Sequence, residues 1–155
     1  MRNDEICKQK AERLGIASRC TFHEGFLNSL CQSTGFNAAT CFLVSHFLTK
    51  ADKRRALFTE IATRLLPNGI LVNADISGDM AAPNFKSLLS VWLRMLRYAG
   101  LPAYEIEKMR GSLGVEVAVL PPKEVEELIK TSGFNGPTLI SQSLLIHTWY
   151  SRLST

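Results

Sequence analysis

The chain has 155 residues, 46% of them hydrophobic and 21% charged, which is the composition of an ordinary globular domain with one core. No apolar run reaches the roughly 18 residues that a membrane span requires. The polar start Met-Arg-Asn-Asp-Glu lacks the apolar core of a signal peptide. We therefore expect one cytoplasmic domain over residues 1–155, with no membrane partner. The net charge of +4 is mild, so RNA binding stays open without being indicated.

The cysteines point to no metal chemistry. They stand at positions 7, 20, 31 and 41, and none forms a CxxC pair. Cys20 and Cys41 lie in apolar patterns, where a free thiol behaves as a small hydrophobe. We predict no disulfide framework and no metal site, and a reducing cytoplasm fits this usage best.

The first elements alternate between helix and strand. The run "NDEICKQKAERLGI" has apolar residues at helical spacing and ends at Gly15, which suits a left-handed cap. A strand is predicted over Cys20 to Glu24, followed by a loop over 28–37. The apolar run "AATCFLVSHFL" does not alternate, which predicts a strand buried on both faces.

A helix and a strand then follow with almost no connection. Thr49 and Asp52 form a capping signature for the helix, and Pro67-Asn68-Gly69 ends it before the strand "ILVNADI". Lys53-Arg54-Arg55 is expected on the solvated face of this helix. The order helix, strand, helix, strand predicts parallel strands joined by a right-handed crossover.

The second half departs from this order. Residues 83–99 and 103–113 show helical patterns, which together predict a helical insertion over about 80–114. Pro121 and Pro122 open the helix "PPKEVEELIKTSGF". The last two strands, "PTLISQS" and "HTWYSRL", are separated by few residues, so we expect them to pair antiparallel.

The stretch "FHEGFLNSL…FNAATCFLVSHFL…DKRRALFTEIATRLLPNGILVNADI" resembles the later part of a class I S-adenosylmethionine-dependent methyltransferase. Asn37 stands where that family usually has Asp, and Asn68 occupies the first glycine position of its helix-turn-strand motif. The insertion and the terminal strand pair look like the small bacterial methyltransferases of the carboxy-S-adenosylmethionine and tRNA wobble-uridine branch. The resemblance covers nearly the whole chain.

The resemblance implies an α/β, Rossmann-like methyltransferase fold whose mostly parallel sheet carries an antiparallel terminal strand. The family's Gly-rich turn and the acid that binds the cofactor ribose are not found in this sequence. The fold is therefore expected to be N-terminally incomplete, with low activity unless another segment or partner supplies that turn. Unpaired sheet edges are expected to favour a homo-oligomer.

The resemblance also implies two groups of cofactor-binding residues. One is a turn that lies by the adenine in the family, and the alternative for it is an ordinary strand-end turn with a core Phe. The other ends a central strand beside the methionine part of the cofactor, where ligands bind in open α/β sheets. The predicted residues are Gly25, Phe26, Leu27, Leu43, Val44, Ser45 and His46. A proton-transfer role for His46 is not expected, because the sequence shows no acid partner for it.

Acceptor-binding residues are expected in two places. Asp75 ends a strand, where it could orient an acceptor amine or hydroxyl, or else cap the next segment. On the inserted helix, Trp92, Arg94 and Tyr98 are the predicted acceptor residues. Trp92 is expected to face the core, while Arg94 and Arg97, with Tyr98, could line a lid over an anionic or aromatic acceptor, or else pack and meet solvent.

Three functions remain open from the sequence. The first is methyl transfer from S-adenosylmethionine to an acceptor, either a small molecule or RNA, that the sequence does not identify. The second is a non-catalytic module, derived from a methyltransferase, that binds or oligomerises. The third is an RNA-associated protein. No catalytic residue is predicted, since an in-line displacement owes much of its rate to holding the reactants close and aligned.

Overall fold

The computed structural model describes residues 3–30 and 35–154. The chain falls into two compact units, residues 1–33 and residues 34–155. The helices are α1 (Asn3–Arg13), α2 (Ala51–Arg64), α3 (Pro83–Tyr98), α4 (Ala103–Ser112) and α5 (Pro122–Lys130). The strands are β1 (Phe36–Phe42), β2 (Leu65–Ile76), β3 (Phe134–Ser143) and β4 (Ile146–Leu153). No helix in the described ranges is long and apolar enough to cross a membrane.

The first unit contains the predicted helix but not the predicted strand. Gly15 follows α1 at φ 68°, and the amide of Ile16 donates to the carbonyl of Ala11 at 3.0 Å, which closes the helix as expected. The strand predicted over Cys20 to Glu24 is wrong, because this segment is irregular and pairs with no strand in the described part of the chain.

The sheet lies in the second unit and has the strand order β1-β2-β4-β3. β1 and β2 are parallel, as predicted from the crossover, and β3 and β4 form the predicted antiparallel pair. β4 is also antiparallel to β2. The described sheet is therefore mixed, and a mostly parallel sheet is not confirmed.

β1 is an edge strand, which contradicts its predicted burial on both faces. It pairs only with β2 among the described residues. Cys41 is its one buried residue, while Phe36 and Phe42 are exposed. An open strand edge is a template for pairing, so self-association along β1 stays a prediction.

The junction of α2 and β2 is tighter than predicted. The helix begins at Ala51 without a side-chain cap, so the capping role given to Thr49 is wrong. It ends at Arg64, and Pro67-Asn68-Gly69 lies inside the strand, where the pairing register shifts. Asn68 has φ 64°, a left-handed conformation that Asn tolerates.

Two apolar clusters fix the sheet and the helices. In the first, α2 and α5 pack together, and α5 packs on β3 and β4. Its buried residues include Phe58, Val125, Ile129 and Trp149. The second cluster joins the end of β2 to the insertion, and its buried members are Ile76, Phe85, Leu113, Val117, Val119 and Leu145. This second cluster holds α3 over the carboxyl ends of β1 and β2.

Candidate functional site

A cavity of about 650 Å³, here called the strand-end pocket, opens at the carboxyl ends of β1 and β2. Such ends are where open α/β sheets bind ligands. The insertion covers it from the other side, so strand ends and helices share the lining. The lining residues are Leu43, His46, Phe47, Ile76, Trp92, Leu101, Tyr104, Glu105, Lys108, Met109, Ser112, Leu113, Glu116, Val117 and Ile146.

The end of β1 turns sharply and places His46 in the pocket wall. Leu43 has φ 54°, and residues Ser45–Phe47 form a short 3-10 helix. The carbonyl of His46 accepts a hydrogen bond from the amide of Ala118 at 2.8 Å. This hydrogen bond fixes the backbone of His46, and the residue is only 2% exposed.

The carboxylate of Asp75 is the centre of a buried polar network. Its Oδ1 accepts hydrogen bonds from the amide of His46 at 3.2 Å and from Nδ1 of the same residue at 2.9 Å. Its Oδ2 accepts from Nη2 of Arg54 at 2.9 Å and from Nδ2 of Asn73 at 3.1 Å. The hydroxyl of Ser45 also donates to Oδ2. Asp75 is 0% exposed.

Arg54 supplies the positive charge of this network. Its Nε donates to the hydroxyl of Ser45 at 3.0 Å, while its Nη2 pairs with Asp75. The side chain is 0% exposed, so the prediction of a solvated Lys53-Arg54-Arg55 face is wrong for its middle residue. The cause is its position, since Arg54 precedes the buried Phe58 and Ile61 by one and two helical turns.

The network keeps Asp75 ionised at neutral pH. Burial alone would raise its pKa, but the hydrogen bond from His46, the charge of Arg54, and the hydrogen bonds from Ser45 and Asn73 hold the pKa below its ordinary 3.8. An ionised carboxylate only accepts hydrogen bonds, so Nδ1 of His46 carries the proton that joins the two side chains. The other ring nitrogen, Nε2, is hydrogen-bonded by no described residue, and in the tautomer with the proton on Nδ1 it is the acceptor nitrogen.

The thiol of Cys41 lies close to the same network but stays protonated. Burial is the main cause, and the charge of Asp75 adds to it, so that the pKa of Cys41 rises to about 11. A neutral, buried thiol is a poor nucleophile. Cys41 therefore packs in the sheet and contributes no reactive group to the site.

The structure separates the residues predicted to contact the cofactor. Leu43 and His46 line the strand-end pocket, Ser45 is bonded to Asp75, and Val44 is exposed at the end of β1.

The other three predicted cofactor residues lie in the first unit, where no strand precedes them among the described residues, contrary to the strand-end turn that was expected. Gly25 has φ 148° and directly precedes Phe26, which is exposed, and Leu27, which begins a 3-10 helix.

The predicted acceptor residues are also divided. Trp92 lines the strand-end pocket and packs against the apolar cluster at the end of β2. Arg94 faces a different cavity between α3 and α4, and Tyr98 is 97% exposed on a shallow surface of α3. Asp75 neither reaches the pocket nor caps the next segment, because all its partners lie in the buried network. Its contact with an acceptor stays a prediction that this buried position does not support.

The sequence reasoning missed the polar residues contributed by α4 and the following loop. Tyr104, Glu105 and Lys108 lie on α4, and Glu116 follows it. Their spacing of one helical turn, between 104 and 108, was the available signal. They give an otherwise apolar pocket a few groups able to orient a ligand.

Solved structures share this fold. A possible exported protein from Bordetella parapertussis aligns over 97% of this chain and 50% of its own, with 13% identity and a TM-score of 0.69. An O-methyltransferase family 2 protein from Planctomyces limnophilus, in complex with apigenin, aligns over 96% of this chain and 39% of its own, with 15% identity and a TM-score of 0.67. PigF with SAH aligns over 97% of this chain and 40% of its own, with 13% identity and a TM-score of 0.63.

These likenesses confirm the predicted resemblance at the level of the fold. The chain spans between 39% and 50% of the length of these three structures. No protein-family model and no curated protein matches the sequence.

Proposed function

We propose that this chain is the part of an S-adenosylmethionine-dependent methyltransferase that holds the methyl acceptor and the methionine end of the cofactor. The acceptor atom is a hydroxyl oxygen. The observation that carries the proposal is the buried pair of His46 and Asp75, which presents an imidazole to a ligand-sized pocket. Support for the cofactor comes from the shared fold and from the SAH complex of PigF.

The end of β1 suits the cofactor chemically. Leu43, Val44 and Phe47 are apolar and exposed there, next to His46. An apolar surface at a strand's carboxyl end can hold the thioether part of a nucleoside cofactor. When bound, the cofactor would supply a methyl group from its sulfonium, and the electrons of the carbon–sulfur bond would stay on sulfur.

His46 acts as the proton acceptor for the acceptor hydroxyl. Nε2 accepts the hydroxyl proton, which makes the oxygen a nucleophile toward the methyl group that the cofactor would supply. Asp75 stabilises the resulting imidazolium through Nδ1, at 2.9 Å. A positioned base of this kind contributes roughly 10²- to 10⁴-fold to the rate.

The pocket wall favours an apolar acceptor with one or two polar groups. Ile76, Trp92 and Leu113 form apolar wall, while Lys108 and Glu105 are charged residues beside it. An aromatic alcohol or phenol has this distribution, since a flat ring can pack on Trp92 and Tyr104. Apigenin, which accompanies the Planctomyces limnophilus protein, is a phenol.

Calorimetric titration of the 155-residue chain with SAH tests the cofactor half of the proposal. We expect saturable binding with micromolar affinity, and about ten-fold weaker binding by Val44→Trp, which fills the exposed surface at the end of β1. Val115→Trp is the matched control, because Val115 is also exposed but belongs to the loop after α4 and not to the end of β1. A folded chain without SAH binding, or equal losses in both variants, would contradict the proposal.

A further inference from the structure

A second cavity of about 640 Å³ lies between α3 and α4, and it shares no lining residue with the strand-end pocket. We call it the helix groove. Its floor is apolar and includes Phe85 and Ile106, which are buried, and Leu89 and Leu93, which are half-buried. The proposed methyl transfer makes no use of it.

The sequence of α3 explains why the groove has both an apolar floor and a basic rim. Lys86, Leu89, Leu93, Arg94 and Arg97 follow one another at helical spacing and face the groove together. The adjoining face of the same helix packs against the apolar cluster at the end of β2. One face of α3 therefore stabilises the fold, while the next face is left open beside α4.

The rim carries an excess of positive charge. Four basic residues line the groove, Lys86, Arg94, Arg97 and Arg110, against one acid, Glu107. Glu107 pairs with Arg110 at 3.6 Å. Within residues 3–30 and 35–154, no carboxylate lies within ion-pairing distance of the other three basic side chains. Unpaired guanidinium groups over an apolar floor are complementary to an anion with an apolar body.

We infer that the helix groove binds a small amphipathic carboxylate. The apolar chain or ring lies on Leu89, Leu93 and Ile106, and the carboxylate meets Arg94 and Arg97. Arginine presents two parallel N–H groups to a carboxylate, which gives such a site a preference for an anion over an alcohol of equal length. Arg94, which the sequence analysis connected with an anionic acceptor, thus serves an anion site away from the strand ends.

Calorimetric titration of the chain with decanoate tests this inference. Decanol is the neutral counterpart, and the double variant R94Q/R97Q removes two rim charges at exposed positions. K130Q is the matched control, because Lys130 is an exposed cation on α5 and does not line the groove. We expect saturable decanoate binding, with an affinity that is about ten-fold or more lower in R94Q/R97Q and unchanged in K130Q. The original chain should bind decanol about ten-fold or more weakly than decanoate.

Three results would overturn the inference. Equal affinity for decanoate and decanol would show that only the apolar floor binds. Unchanged decanoate affinity in R94Q/R97Q would place the anion elsewhere. A concentration-dependent dimer in sedimentation that binds no decanoate and dissociates in R94Q/R97Q would assign the groove to a second copy of the chain. Binding of SAH is measured in the same variants and is expected to be unchanged, which separates this site from the strand-end pocket.

Discussion

Nδ1 of His46 lies 2.9 Å from Oδ1 of Asp75, and neither side chain is more than 3% exposed. The carboxylate also accepts hydrogen bonds from Arg54, Ser45 and Asn73. Four residues therefore hold it, and it has no contact left for a ligand. Its effect on a ligand must pass through the imidazole. Asp75 is therefore a positioning residue, and His46 is the residue that meets the acceptor.

Replacing Asp75 by Asn should destabilise the chain strongly. The substitution leaves the guanidinium of Arg54 buried without its counter-charge, and breaking such a pair from one side costs about 3 to 5 kcal/mol. Urea denaturation of the 155-residue chain measures the free energy of unfolding. Asp52→Asn is the control, because Asp52 is exposed on α2, and it should change stability by no more than about 0.5 kcal/mol. Equal changes in the two variants would show that the buried pair does not hold the fold.

Replacing Arg54 should destabilise the chain far more than replacing its neighbour Arg55. Arg54→Met removes the guanidinium that pairs with the buried Asp75 carboxylate and should lower the free energy of unfolding by about 3 kcal/mol or more. Arg55→Met changes an exposed side chain and should stay within about 0.5 kcal/mol. In the double variant R54M/D75N the loss should be smaller than the sum of the single losses, because the two residues interact directly. If the losses of the two single variants added up in R54M/D75N, Arg54 and Asp75 would not interact directly.

Acid should destabilise the chain in two stages. Burial lowers the pKa of His147 below its ordinary 6.5, against the opposing effects of the Leu145 carbonyl and Glu126. Since the unfolded chain then binds the proton more readily, stability from His147 is complete above pH 6.5 and declines as the pH falls below it. Asp75 also has a lowered pKa, so its contribution is complete above its ordinary 3.8 and is lost only at lower pH.

The loss of stability that begins at pH 6.5 can be assigned to His147 with the variant His147→Gln. The free energy of unfolding is measured from about pH 7.5 to 5, where His147 titrates in the unfolded chain. The variant should show a flatter dependence on pH than the original chain over this interval, whatever its absolute stability. The same slope in both proteins would mean that His147 is not held neutral in the folded chain.

Gly69 and Gly136 should respond differently to alanine. A Cβ at Gly69 would lie 2.8 Å from both the Leu65 Cβ and the backbone oxygen of Leu66, so Gly69→Ala should cost about 1 to 3 kcal/mol. Nothing lies within 4 Å of a Cβ at Gly136, so Gly136→Ala in β3 should not destabilise by this route. Thermal unfolding of the two variants distinguishes them. Equal stability would mean that the junction of α2 and β2 can relax around a methyl group.

Local sequence patterns predicted a helix or strand correctly where apolar spacing and flanking glycines or prolines mark it. The helices α1, α2, α3 and α5 and the terminal strand pair follow from apolar spacing, glycine caps and prolines. The burial of β1 could not be read this way, because a continuous apolar run does not show how many partners a strand has. Its outer edge has no partner in the described residues, so Phe36 and Phe42 remain exposed.

The candidate site was predicted only in part, because it depends on contacts between distant residues. His46 was named, but its acid partner is 29 residues away and was assigned to a ligand instead. Arg54 was placed with its charged neighbours, although its spacing to Phe58 and Ile61 indicates the inner face of α2. The division of Trp92 and Arg94 between two cavities depends on where α4 packs, which no local pattern fixes.

The most direct test of the account is the rate of methyl transfer from labelled S-adenosylmethionine to a phenol, compared between the chain and His46→Asn. The affinity for SAH is measured in the same samples, and Lys130→Gln, an exposed change outside the strand-end pocket, is the control. We predict that His46→Asn lowers the rate by about 100-fold or more while the SAH affinity changes little. An unchanged rate in His46→Asn at an unchanged SAH affinity would contradict the account.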